Sequence, residues 1–331
     1  MPARSLARRA FIAVAAAITA WPLAGHAQQP ERMRRIGALI GFFENDPFAQ
    51  RIVSTFTDAL GRLGWVEGKN IRFDYRFAAG NPALYKTYAA ELVGVAPDVI
   101  LARPGPGVFS LRQRTRTIPI VFVLLPDPVV LGVVQSLARP GGNITGFASY
   151  DASMIGKWLQ LLKEVAPGVR RVAVIFDPDT AYAPSLDPVI EAAPSFGVKV
   201  TMAPVHDDAA VEEAIAAQAR EPESGLICLP DSFNETHRDL IVAAAARHRL
   251  PLIGTPTFPR AGGLMSYSFD PIDLYPQAAS YIDRILKGAS PAELPVQYPT
   301  KYSLIINLKT ARALGLTIPP GVLDMADEVI E

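Results

Sequence analysis

Residues Pro140–Gly146 read Pro-Gly-Gly-Asn-Ile-Thr-Gly and divide the chain into two series of alternating predicted strands and helices. The glycines permit the backbone angles that a turn needs, so we expect the chain to cross here between two lobes. Upstream, short apolar runs alternate with segments of helical apolar spacing and predict strands at 36–42, 71–77, 99–102 and 120–125. This βα alternation predicts a parallel sheet that helices cover on both faces.

The downstream half repeats the same alternation. Its apolar runs predict strands at 171–176, 199–203, 225–229 and 252–254, each followed or preceded by a helical pattern. The last helix predicted in the upstream series covers 129–137. The sequence therefore predicts an α/β fold with two doubly wound parallel-sheet lobes in tandem.

Two further crossings between the lobes are predicted where Pro and Gly cluster, near 255–261 and at 291–299. With the first crossing they make a three-crossing hinge with a cleft between the lobes. We expect ligands to bind outside the carboxyl ends of the strands that face this cleft. The expected domain bounds are an N-terminal lobe of 34–146 plus 262–288 and a C-terminal lobe of 147–257 plus 291–331.

Residues 1–27 have the order of a secretory signal peptide. A basic head that includes Arg8 and Arg9 precedes an apolar run at 10–20, and small residues stand at the peptidase positions of 25–27. The arginine pair resembles a twin-arginine signal, and an ordinary Sec signal is the alternative. With no cysteine at the cleavage site, the expected product is a freely diffusing periplasmic protein.

Composition excludes several classes of partner. The precursor has a formal net charge of zero, and loss of the three arginines of the signal leaves about −3. Without a basic patch we expect no nucleic-acid binding, and without a later apolar run of membrane-spanning length we expect no membrane insertion. Cys228 is the only cysteine of the chain and lies in an apolar run, so we expect it to be a buried core residue.

Motifs for catalysis are lacking. His206, His237 and His248 do not stand at metal-ligand spacing, and the chain has no nucleophile elbow and no phosphate loop. Residues 103–107 partly resemble a dinucleotide loop, but the third glycine is absent and Pro106 removes an N–H donor. We therefore expect no enzymatic activity, no metal and no cofactor.

The ends of the predicted strands instead carry residue types that bind small molecules. Aromatic rings could enclose a ligand, carboxylates could fix an amino group, and the helix after Arg103 could receive a carboxylate. The candidate ligand contacts are Phe42, Phe43, Glu44, Asn45, Arg103, Gly105, Asp127, Tyr150, Asp177, Thr180, Asp231, Phe233 and Tyr267.

Some of these candidates have an equally simple structural interpretation. Asp127, Asp177 and Asp231 stand where an aspartate commonly caps a turn or a helix. Phe42 and Phe43 are adjacent at an extended end, so only one of them can face the cleft.

Several stretches resemble one family specifically: 34–37, 60–71, 117–122, 127–129, 137–146 and 306–316. On these motifs the chain resembles the periplasmic substrate-binding proteins of ABC transporters, in the branch that includes tryptophan- and tyrosine-binding members. The resemblance implies a type I periplasmic-binding-protein fold and capture of a small ligand for a membrane permease, by a protein expected to be a monomer.

The chain departs from this family after its third strand. Related proteins often carry Gly-Thr-Pro-Ala there, with a threonine that binds a ligand carboxylate, whereas this chain has Pro104-Gly105-Pro106-Gly107 after Arg103. Arg103 then offers a charge-assisted contact to an anionic ligand. Two functions stay open: a receptor for an ABC importer that binds an amino acid or a small carboxylate, and a periplasmic sensor or accessory protein with the same fold.

Overall fold

The computed structural model describes residues 32–103, 105–149, 152–178 and 187–331. Arg34–Glu331 form one compact unit. The predicted signal peptide and the candidate contacts Tyr150 and Thr180 lie outside the described residues. Within the described part, no helix is both long and apolar enough to cross a membrane.

The first sheet has five parallel strands in the order β2-β1-β3-β4-β5. These are β1 (Arg34–Ile40), β2 (Ile71–Phe77), β3 (Val99–Arg103), β4 (Ile120–Leu125) and β5 (Ile144–Ala148). Its helices are α1 (Pro47–Arg62), α2 (Pro82–Gly94) and α3 (Gly105–Arg114). Side chains of β1 alternate between two cores, since Ala38 packs on one face and Leu39 on the other. Helices therefore cover both faces, as predicted.

The second sheet has seven strands in the order β12-β11-β10-β9-β8-β6-β7 and is parallel except for the β10–β11 pair. The strands are β6 (Arg171–Phe176), β7 (Lys199–Pro204), β8 (Ser224–Cys228), β9 (Leu252–Gly254), β10 (Met265–Ser268), β11 (Ser303–Asn307) and β12 (Glu328–Ile330). The remaining α-helices, given in chain order for both lobes, are α4 (Ala152–Val165), α5 (Asp187–Ala192), α6 (Asp208–Ala219), α7 (Ser232–Thr236), α8 (Arg238–Arg247), α9 (Thr257–Arg260), α10 (Leu274–Leu286), α11 (Leu308–Leu314) and α12 (Pro320–Asp324). The predicted α/β architecture with two parallel-dominated sheets is confirmed.

The stretch at 140–146 does more than turn the chain. Its last residues begin β5, so the first crossing follows Ala148 instead of Gly146. Gly146 has a φ of +153°, and a Cβ there would lie 2.1 Å from the carbonyl oxygen of Phe122. Thr145 donates to the carbonyl of Leu294 at 2.6 Å and so ties this strand to a later hinge segment. Close backbone approach, in addition to the turn, explains the glycine.

The predicted helix at 129–137 is wrong. The segment is a series of turns in which the carbonyl of Pro128 accepts from the amides of both Val133 and Val134. Val129 and Val130 are exposed, so the apolar residues that suggested a buried helix face do not share one side.

Strand β10 corrects the predicted path of the hinge. We expected 262–288 to lie in the first lobe, but Met265–Ser268 pair with β9 and β11 of the second sheet. The crossing therefore follows Ser268, and not 255–261. Helix α10 returns to the first lobe, where it packs on α1 and the first sheet. Trp65 fixes it there by donating from Nε1 to Oδ1 of Asp283 at 2.8 Å. The remaining domain bounds stay a prediction.

Candidate ligand-binding cleft

A cleft of about 920 Å³ opens between the carboxyl ends of the two sheets. Its first-lobe wall comes from the segment after β1, the start of α1, the end of β3 and the end of β4. Its second-lobe wall comes from the segments after β8 and β9, and the hinge segments at 268–273 and 301–303 close one side. Its place outside the strand ends is the one expected for a ligand site in α/β sheets.

Arg103 is a buried cation of the first-lobe wall. It ends β3, where the chain turns into α3, and it is only 6% exposed. Its guanidinium lies over the ring of Phe42 at 4.4 Å and near that of Phe48 at 5.6 Å. Within the part of the chain that the structure describes, no hydrogen-bond acceptor reaches its buried Nε and Nη1. The wall thus presents a buried guanidinium with two nitrogen donors that meet no acceptor among the described residues.

Three buried hydroxyl groups belong to the same region. Tyr275 on α10 has a hydroxyl oxygen that meets no partner among the described residues, and the buried hydroxyls of Tyr85 on α2 and Ser232 on α7 lie next to each other. Burial raises the pKa of Tyr85, and the positive charge of Arg103 and the hydroxyl of Ser232 lower it in smaller measure. Burial also raises the pKa of Tyr275 to about 12, again opposed by Arg103. The two tyrosine hydroxyls therefore lie within range of the positive charge of Arg103.

Asp231 faces the cleft from the second lobe as a helix cap. Its Oδ1 accepts from the backbone amide of Asn234 at 2.7 Å, as an N-cap does. Its Oδ2 accepts from the side-chain amide of Asn234 at 3.0 Å and from the backbone amide of Asp177 at 3.3 Å. Burial raises its pKa to about 8 in spite of these hydrogen bonds. The structure therefore gives Asp231 the capping role that the sequence left open.

Several other polar groups of the second wall form hydrogen bonds with one another. Glu235 accepts from the hydroxyls of Thr255 and Thr257, the latter at 2.9 Å. Arg260 forms a bidentate pair with Glu328, with its shorter contact at 2.6 Å. These carboxylates accept hydrogen bonds from protein donors, whereas the Nε and Nη1 of Arg103 meet no acceptor among the described residues.

Backbone strain marks the first-lobe wall. Leu124, which lines the cleft, has a φ of +65°, and Asp127 has a φ of +31°. The β4–β5 register shifts between Val123 and Leu125 as a consequence. Non-glycine residues in this region of φ cost about 1–3 kcal/mol each and concentrate at binding sites.

The structure brings four of the predicted contacts to the cleft wall, namely Phe42, Phe43, Arg103 and Asp231. Both phenylalanines line the cleft, with Phe42 buried and Phe43 58% exposed, and which of the two rings contacts a ligand stays a prediction.

The other described candidates lie outside the residues that line the cleft, and their roles as ligand contacts stay predictions. Glu44 and Asn45 are exposed, and Gly105 packs against Leu125. Each of the rest is engaged elsewhere: Asp127 accepts from the amide of Val130, Asp177 lies 3.5 Å from His206, Phe233 stacks on His237, and Tyr267 stacks on Tyr302.

Sequence reasoning missed Tyr85, Tyr275 and Ser232. The two tyrosines sit at buried helical positions, beside Ala89 on α2 and Ala278 on α10. Their spacing is that of ordinary core residues, so no sequence signal marked them. Ser232 follows the predicted Asp231 directly, and its place at the first turn of a helix that faces the cleft was the available signal.

Two α/β lobes around a cleft lined by aromatic rings define a ligand-binding protein of the periplasmic-binding-protein type I class. Among the described residues no group of three or more His, Cys, Asp or Glu side chains could hold a metal ion. A family model described as ABC transporter substrate binding protein matches residues 38–330, and the chain belongs to that family. The family and its relatives are solute-binding proteins, not enzymes.

Three relatives show what the chain resembles. A tyrosine-binding protein of Clostridioides difficile is 25% identical over 82% of this chain and 78% of its own length. The structure of a conserved domain protein from Vibrio cholerae O1 biovar eltor has a TM-score of 0.83 and 31% identity, over 90% of this chain and all of that one. The structure of a Streptococcus pneumonia domain in complex with L-Trp has a TM-score of 0.82 at 23% identity, over the same shares.

Proposed function

We propose that this protein captures an amino acid or a small carboxylate in its interlobe cleft and delivers it to an ABC importer. The observation that carries the proposal is Arg103, a buried cation in the cleft wall whose Nε and Nη1 meet no acceptor in the described chain. An isolated buried charge is costly, and a bound carboxylate would supply the missing acceptor in bidentate geometry.

The relatives support the same proposal. A curated relative binds tyrosine, and a structural neighbour holds L-Trp. The family implies an ABC permease as the second partner. The expected setting is the periplasm, after cleavage of the predicted signal at 1–27, with a monomeric receptor that meets the permease on the outer face of the inner membrane.

A thermal-unfolding screen tests ligand capture directly. The purified protein is heated with aromatic and branched amino acids, with the matching carboxylic acids, and with sugars as a negative set. A ligand at 100 times its dissociation constant adds about 2.7 kcal/mol to the free energy of unfolding. A shift with at least one acid or amino acid is expected. No shift with any of them would overturn the proposed ligand class.

Delivery is tested by uptake of the radiolabelled hit in cells with and without the gene. Loss of uptake in the deletion strain, restored by the gene, is expected of a transport receptor. Unchanged uptake alongside tight binding would instead favour a sensor or accessory role.

A further inference from the structure

We propose that Phe42 and Phe48 are positioning residues for Arg103, whose guanidinium their two rings hold in the orientation that receives the carboxylate of the ligand. This inference rests on the proposed function and gives two aromatic rings of the cleft wall a role that acts through Arg103. It follows from the geometry of the three side chains and from the separate elements that fix each of them.

The two rings form a corner around the guanidinium. The central carbon of the Arg103 guanidinium lies 4.4 Å from the centroid of the Phe42 ring and 5.6 Å from that of the Phe48 ring. The two ring centroids are 5.4 Å apart, and the ring planes meet at 84°. Both distances to the guanidinium lie within the range of about 6 Å in which an aromatic ring attracts a cation. The guanidinium is therefore held from two directions.

Each of the three side chains is placed by a different element. Phe42 is buried in the segment after β1, and its carbonyl accepts from the amide of Ala79 in the segment after β2, at 3.2 Å. Phe48 stands in the first turn of α1, where Asp46 accepts from its backbone amide at 2.7 Å. Arg103 is the last residue of the buried strand β3. The corner is thus built before any ligand enters the cleft.

Arg103 needs such a corner because its own hydrogen bonds do not orient it. Its Nε and Nη1 meet no acceptor among the described residues. Carboxylates such as Asp46 line the same cleft, so a guanidinium released from the rings would be free to turn towards one of them or towards water. A ligand carboxylate would then bind only the fraction of molecules with the competent orientation, and the apparent affinity would fall by that fraction.

Plain apolar packing is the other role that the two rings could have. Fluorination separates the two roles because fluorine withdraws electrons from the ring face and weakens its attraction for a cation, while the ring keeps nearly the same shape. Phe48 is half-buried at the cleft, so the fold tolerates a change there more readily than at buried Phe42. Position 48 is therefore the better place for the main series of variants.

Titration calorimetry measures the effect on affinity. The probe is whichever of L-tryptophan, L-tyrosine, L-leucine, 3-phenylpropanoate and 4-methylpentanoate binds wild type most tightly, termed the preferred carboxylate. Its affinity should fall about 3- to 30-fold in Phe48→pentafluorophenylalanine and in Phe48→Leu, which is the range of a cation–π attraction. Phe48→Tyr restores a ring face of normal charge and should bind within about 2-fold of wild type. Unchanged affinity in both folded variants that lose the attraction, checked by circular dichroism, would overturn the inference.

A second measurement reads the orientation of Arg103 without any ligand. Two rings close to a guanidinium displace the NMR resonance of its Nε proton upfield, and the signal is assigned by its loss in Arg103→Met. In Phe48→Leu this resonance should move towards the value of exposed arginines. A wild-type resonance already at that value would overturn the inference, whatever the ligand is.

Matched controls separate this inference from the proposed function. Phe56→pentafluorophenylalanine alters a ring on the same helix that packs on Phe73 at 6.2 Å, and it should leave affinity unchanged. Arg114→Met removes an exposed charge at the end of α3 and should also leave it unchanged. Affinity lost in Arg103→Met but kept in the Phe48 variants would overturn the inference alone. No binding of any probe by wild type would overturn both proposals.

Discussion

Replacing Arg103 by methionine should stabilise the ligand-free protein while it abolishes ligand binding. The wild-type side chain is 6% exposed, and its Nε and Nη1 have no acceptor in the described structure. Methionine has a similar reach and no charge, and its thioether packs favourably against aromatic rings such as Phe42 and Phe48. The exchange therefore removes a desolvated charge and keeps the apolar contact.

The magnitude follows from two opposing contributions. Replacing buried ionic groups by apolar ones of similar volume stabilises proteins by up to about 1–4 kcal/mol. The lost attraction between the guanidinium and the two rings opposes this by about 0.5–2 kcal/mol. We expect a net gain of about 1–2 kcal/mol in the free energy of unfolding of ligand-free Arg103→Met.

Urea unfolding with and without the preferred carboxylate measures both effects. At 100 times the dissociation constant, ligand should add about 2.7 kcal/mol to wild type and nothing to the variant, so the order of stability reverses. The surface control Arg114→Met should stay within about 0.5 kcal/mol of wild type in both conditions. A ligand-free Arg103→Met protein less stable than wild type by more than about 1 kcal/mol would refute the reasoning, because Arg103 would then have a stabilising protein partner.

Two further predictions concern Asp231 and Gly146. Burial raises the pKa of Asp231 to about 8, above its unfolded value, so the folded state keeps this proton longer and the Asp231 contribution to stability falls as pH rises from about 4 to 8. Asp231→Asn keeps the helix cap and should make the free energy of unfolding depend less on pH over this range. Urea unfolding at about pH 4 and about pH 8 measures that dependence. The same pH dependence in the variant and in wild type would contradict the prediction. Gly146→Ala places a Cβ 2.1 Å from the carbonyl oxygen of Phe122 at a φ of +153°. We therefore expect the free energy of unfolding to drop by more than about 3 kcal/mol. The control Gly61→Ala in α1, where a Cβ meets nothing within 4 Å, should change it by less than about 1 kcal/mol.

Strand positions were predictable because buried parallel strands are nearly continuous apolar runs. β3 and β4 lie within one or two residues of the expected bounds, at Val99–Arg103 and Ile120–Leu125. β5 was missed because its residues follow a Pro-Gly-Gly turn and include Gly146, which lowers strand propensity. The structure compensates through the close approach of Gly146 to Phe122 and the bond from Thr145 to Leu294. Such long-range contacts leave no local pattern.

The site was partly predictable for a related reason. Arg103 and Asp231 stand directly at or after strand ends, where topology alone brings side chains to the cleft. Whether such a side chain remains unpaired depends on partners far away in the chain. Asp231 accepts from the backbone amide of Asp177, 54 residues earlier, whereas the Nε and Nη1 of Arg103 meet no acceptor among the described residues. Residue type and spacing cannot distinguish these two cases.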